Sequence, residues 1–159
     1  MARVKLFLHE NYDDVESVWG TTCGRARGGT LVRIDNIPYV HSKPTFGDVV
    51  VAKRDRELDV PYAWNVGQNG KSISEKKIIA RLHEDAGRYA GIVEYAAKKK
   101  GASFARLTKW LRKEHDVVSE GAWEGTLYLA IPKKLRMKDL MRATRARFAD
   151  AFRFKQVHP

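Results

Sequence analysis

The sequence predicts an α+β protein: a small antiparallel β-meander or partial barrel over residues 1–70, then a ferredoxin-like α/β half over 71–159. Three observations predict it. The first sixty residues are short apolar runs separated by Gly and Pro turns, the pattern of a small all-β unit. Beyond residue 70, runs of helical spacing alternate with short β-prone runs. The charge divides in the same way. Residues 1–60 hold 9 Lys/Arg against 9 Asp/Glu and residues 61–159 hold 21 against 10, so the whole net charge of +11 lies in the second part. At 159 residues the halves are also short enough to form one compact domain.

In the first half, Val4, Leu6 and Leu8 alternate with Lys5, Phe7 and His9, as one strand with one buried face requires. Val15–Thr21, carrying Val18 and Trp19, predicts a second strand, and Gly24, Gly28 and Gly29 mark the turn around Arg25–Thr30. Leu31–Asp35 and Asp48–Lys53 are the third and fourth strands, joined through Pro38, Pro44 and Gly47. The charged run Lys53–Glu57 and the Asn69-Gly70 turn predict a hinge between the halves.

In the second half, Lys76–His83 reads as a strand. Asp85 is placed to cap a helix running to about Lys99, because Tyr89, Ile92, Val93 and Ala96 recur at helical spacing. Ser103 is placed to cap a second helix carrying Phe104, Leu107 and Leu111 on one face. Thr126–Ile131 is a strand ended by Pro132. Arg136–Phe148 is a helix with Met137, Leu140, Met141, Thr144 and Phe148 inward, and Ala151–Val157 closes the chain as a strand.

The composition excludes several classes of function. One cysteine, Cys23, excludes an internal disulfide and a Cys-rich zinc site, and the five histidines show no ligand spacing. No metal and no cofactor is expected. Neither a signal-peptide pattern nor a membrane-length apolar run is present, so the expected setting is cytoplasmic with no membrane partner. The Gly-rich loop at Gly24–Gly29 lacks the Gly-Lys-Ser/Thr ending of a phosphate cradle. No nucleophile motif and no converging carboxylates stand out, and the chain reads as non-catalytic.

One segment resembles a known family. Glu16-Ser17-Val18-Trp19, then Asp35-Asn36-Ile37-Pro38-Tyr39, then Gly47-Asp48-Val49-Val50 is similar to a bacterial family catalogued as a domain of unknown function. That family has an Asp-Asn-Ile-Pro-aromatic turn followed by a Gly-Asp-Val-Val strand. The resemblance spans roughly residues 15–51. It implies a compact α/β unit downstream and supplies no activity. Read physically, Asp35 and Asn36 suit a turn in which Asx side chains bond nearby backbone. The alternative is that Asp35, Asn36 and His41 line a small-molecule site, as in an enzyme or sensor.

The basic clusters carry the functional reading. Residues 98–113 hold Lys98, Lys99, Lys100, Arg106, Lys109, Arg112 and Lys113 with no acid among them. Residues 133–147 hold seven cations, including Lys138, Arg142 and Arg145 on one helical face, against Asp139 alone. A solvated helix ordinarily alternates charge signs to gain i,i+4 pairs. Faces this cationic predict a polyanionic partner, nucleic acid first, contacted at Lys98, Lys99, Lys100, Arg106, Lys109, Lys113, Lys138, Arg142 and Arg145. An acidic protein surface, bound by an immunity or antitoxin-type module, is the alternative partner.

Overall fold

A computed structural model describes residues 1–8, 16–38, 43–58, 67, 69–71, 76–121 and 125–157. The chain forms two compact units, Met1–Ala86 and Gly87–Pro159. Among the described residues, nine strands in two sheets and two helices give the α+β class that the sequence predicts.

The first unit is a closed five-stranded barrel of β1 (Arg3–Leu8), β2 (Glu16–Ala26), β3 (Gly29–Ile34), β4 (Val49–Arg54) and β5 (Lys77–Glu84). Each strand pairs antiparallel with the next. An odd number of up-and-down strands leaves the first and last running the same way. Closure is therefore parallel, at Phe7 opposite Ile78. The alternation read from the sequence fills the lumen: Leu6, Leu8, Val18, Val32, Ile34, Val50 and Ala52 pack together, with Val4 and Ile79 against them. Gly29 permits the closest strand approach, since a Cβ there would lie 2.2 Å from the Ala52 carbonyl oxygen. The strand expected to open the second half is β5, which completes the barrel. The units accordingly divide at Ala86/Gly87, beyond the Asn69-Gly70 turn.

The second unit runs β6 (Arg88–Tyr95), α1 (Phe104–His115), β7 (Val118–Gly121), β8 (Thr126–Pro132), α2 (Met137–Phe148) and β9 (Phe152–Gln156). Its sheet order is β7-β8-β6-β9, with all neighbours antiparallel. That is the βαββαβ order of a ferredoxin-like fold. Val93, Leu127, Leu129, Ile131 and Phe154 of the sheet meet Leu107, Leu111, Leu140 and Phe148 of the helices in one core.

The helix expected from Asp85 to Lys99 is corrected here to the strand β6. Gly87 at φ 72° starts the strand rather than a helical turn. Tyr89 and Val93 then fall on one face with Gly91 between them. A Cβ on Gly91 would meet the Ile131 side chain at 2.8 Å and that of Met137 at 3.1 Å, so the space over Gly91 is filled by its neighbours. Ser103 does cap α1, its side chain accepting a hydrogen bond from the Arg106 N–H at 3.3 Å.

Candidate polyanion interface

The Asx turn of the first unit is occupied by its own fold. The Asn36 Oδ1 accepts the Trp19 N–H at 2.7 Å, and Asp35 Oδ2 accepts the Thr21 hydroxyl at the same distance. The first bond extends the β2–β3 ladder past Gly20 and Ile34 and the second ties the turn back to β2, so both side chains serve the barrel. His41 lies outside the described residues.

Asp48, from the Gly-Asp-Val-Val segment, is fully buried. Its carboxylate accepts the Thr45 N–H at 2.8 Å, the Ala86 N–H at 2.7 Å and the Lys43 ammonium at 3.2 Å. Lys43 also reaches Asp85 at 2.9 Å. Asp48 therefore ties the connection before β4 to the end of the first unit. In the sequence it reads only as a strand opener. The signal of its role is an acid immediately before three valines, all three of which are buried.

The basic clusters of the second unit come together. One depression, of about 570 Å³, is lined by Lys99, Lys100 and Arg106 from the α1 end and by Arg145 and Arg147 from the α2 end. A second, of about 540 Å³, lies between α2 and β9, its charged lining being Lys138, Arg142, Arg145 and Arg153 against the single acid Asp150. Arg145 lines both, which joins them into one cationic tract. The α2 spacing of Lys138, Arg142 and Arg145 produces the shared face that the sequence predicts. Lys109 and Lys113, by contrast, are exposed on α1 but line neither depression. Lys98 is exposed and precedes the tract in the chain.

Arg147 and Arg153 join the tract without having been predicted as contact residues. Arg153 sits on β9, and only the sheet order brings β9 beside α2. Following the βαββαβ topology to its last strand finds it.

The like-charge repulsion expected on these helices is partly relieved. Asp139 accepts Arg136 at 2.6 Å and pairs with Arg142 at 3.5 Å, while Arg145 reaches Asp150 at 2.8 Å and Lys113 reaches Glu114 at 3.4 Å. The Arg136 hydrogen bond, aided by the charges of Arg136, Arg142 and Lys138, holds the Asp139 carboxyl below its ordinary 3.8. Arg106 donates to the Gly101 carbonyl at 2.6 Å. Lys98, Lys99, Lys100, Lys109 and Arg147 form no ion pair among the described residues.

Helix dipoles sharpen the imbalance. Arg145 and Arg147 occupy the last turn of α2, where cations are favoured. Lys99, Lys100 and Arg106 gather instead at the start of α1, whose first turn holds no acid. Positive charge there adds to the positive end of the dipole.

Among the described residues, no group of three or more His, Cys, Asp or Glu gathers as a metal site, and no helix is long and apolar enough to cross a membrane. No protein-family model matches the chain, and no curated protein is similar to it. A crystal structure of a hypothetical protein from Neisseria gonorrhoeae is similar in fold, with a TM-score of 0.56 and 11% identity over 98% of this chain and 93% of that one.

Proposed function

We propose that the chain is a non-catalytic bacterial cytoplasmic protein that binds a polyanion, nucleic acid, through the cationic tract of its second unit. The barrel, which carries the resemblance to the family of unknown function, is scaffold. One observation carries the reading: two basic clusters distant in sequence line adjoining depressions that share Arg145. Solvated surface charge alone gives no reason for cations from the α1 start, the α2 end and β9 to gather there. A phosphate backbone supplies several anions along one path and gains affinity by counterion release. Contacts of this kind position a nucleic acid without reading its sequence.

The test is fluorescence anisotropy of a labelled oligonucleotide against the whole chain over a range of salt. Log affinity should fall linearly with log salt, by about 0.9 per duplex phosphate contacted. Lys138→Glu with Arg142→Glu should weaken binding and lower the slope by about one for each phosphate no longer neutralised. Absence of binding at low salt, or a slope unmoved by the double reversal, overturns the assignment.

A further inference from the structure

The floor of the depression between α2 and β9 is apolar, and that floor defines which polyanion fits. Building on the nucleic-acid reading above, we infer that the ligand is single-stranded, with an unpaired base seated against Met141 and Phe152. The flanking phosphates then lie on Lys138, Arg142, Arg145 and Arg153.

Three observations converge on this. The helical spacing of α2 places Met141 in the core, yet it is 44% exposed, on the side of the helix facing the cations. Phe152, half-buried in the same depression, is backed by Tyr95 at 5.4 Å between ring centroids, and Tyr95 is itself fixed by stacking on Phe104 at 4.1 Å and by accepting the Phe104 N–H at 2.8 Å. Large exposed apolar side chains are few among the described residues, and Met141, one of them, lines this cationic depression.

Tyr95 serves the start of α1, but a surface meant only for water or for a phosphate ridge has no use for an open Met141. Duplex bases are stacked inside the helix, so a duplex brings phosphates to the rim and leaves the floor wetted. A single strand brings both: its base faces stack on aromatic, apolar and guanidinium surfaces while its backbone tracks the cations. The depression, at about 540 Å³, falls within the size range of pockets that enclose small organic groups.

The experiment compares three labelled oligonucleotides of equal phosphate number, at one fixed low salt, with the full chain. They are a single strand, a duplex and a single strand built from base-free deoxyribose units. The ordinary strand should bind about tenfold tighter than the base-free strand, the effect of seating about one base. It should also bind tighter than the duplex. Met141→Ser should remove most of that preference and leave the salt slope intact. The base-free comparison needs no variant, so it stands even where a substitution perturbs folding.

Equal affinity for all three oligonucleotides, or competition by polyglutamate as effective as by unlabelled strand, overturns the inference while leaving charge-driven binding in place. No binding of any of them at low salt overturns the polyanion reading as well.

Discussion

The barrel and the ferredoxin-like unit use their polar side chains in opposite ways. In the barrel, polar groups are taken up internally. Asp48 holds two backbone N–H groups and a lysine, Asn36 extends a strand ladder, Asp35 holds the Thr21 hydroxyl, and Asp55 caps the turn at Glu57 and Leu58. Arg3 lies over the Trp19 ring at 5.1 Å, and Lys5 lies 5.8 Å from the same ring. In the second unit the helices are held by apolar contacts, and their cations point outward in excess of the acids beside them. Arg88 is an exception, tied to Asp116 and to the Ala130 carbonyl, but the exposed excess of cations lies in the second unit.

The largest expected effect breaks this comparison if it fails. Asp48→Ala strands the buried Thr45 N–H, at a cost of about 1–3 kcal/mol, and removes the partner of the part-buried Ala86 N–H and of Lys43. We expect a loss of about 2 kcal/mol or more, read as a lower urea midpoint followed by tryptophan fluorescence. Lys138→Glu with Arg142→Glu, though it reverses two charges, should change stability by less than about 0.5 kcal/mol. Equal effects from the two would show that charge is not partitioned between the units as described.

Much of this division is legible in the sequence. The charge balance separates neutral scaffold from cationic unit, and Ser103 with Phe104, Leu107 and Leu111 defines α1 at its cap and on its buried face. The strands of the barrel follow from alternation. What fails is instructive. β6 is an inner strand between β8 and β9, and its adjacent Ile92 and Val93 break the polar–apolar alternation. Its Tyr89, Ile92, Val93 and Ala96 then mimic a helical stripe, and only the sheet partners decide. β7 is a four-residue edge strand, Val-Ser-Glu-Gly, too short and too polar to stand out. Convergence of the basic clusters is not readable, because it depends on how α1 and α2 lie over one sheet. Met141 obeys the helical period and still faces outward, because the core beneath α2 is already filled by Leu140, Thr144 and Phe148.

A middle-sized effect tests strand packing. Gly29→Ala puts a methyl 2.2 Å from the Ala52 carbonyl oxygen, while Gly121→Ala on β7 meets nothing within 4 Å. The first should cost about 1–3 kcal/mol by overpacking. The second should be neutral or slightly stabilising, because alanine narrows the unfolded ensemble. Urea denaturation of the two variants side by side sharpens the contrast between a closed barrel and an open sheet edge. Similar costs would mean that the barrel relaxes around Gly29.

The smallest effect concerns the lone acid among the α2 cations. Asp139 has its folded pKa held below 3.8, first by the Arg136 hydrogen bond. Its pairing therefore favours the native state fully above that ordinary value, and the contribution is lost as pH falls through the depressed one. The carboxyl stays in contact with solvent, which screens the pair, so acid unfolding should be nearly unchanged in Asp139→Asn. Binding should change in the opposite sense. At neutral pH the substitution releases Arg136 and Arg142 from an internal acid, and oligonucleotide affinity should rise by less than about fivefold, shrinking with salt. The gain is offset in part because Asp139 occupies the first turn of α2, where an acid favours the helix. Weaker binding by Asp139→Asn would mean that the acid positions the arginines for the ligand, and that the tract is ordered rather than merely charged.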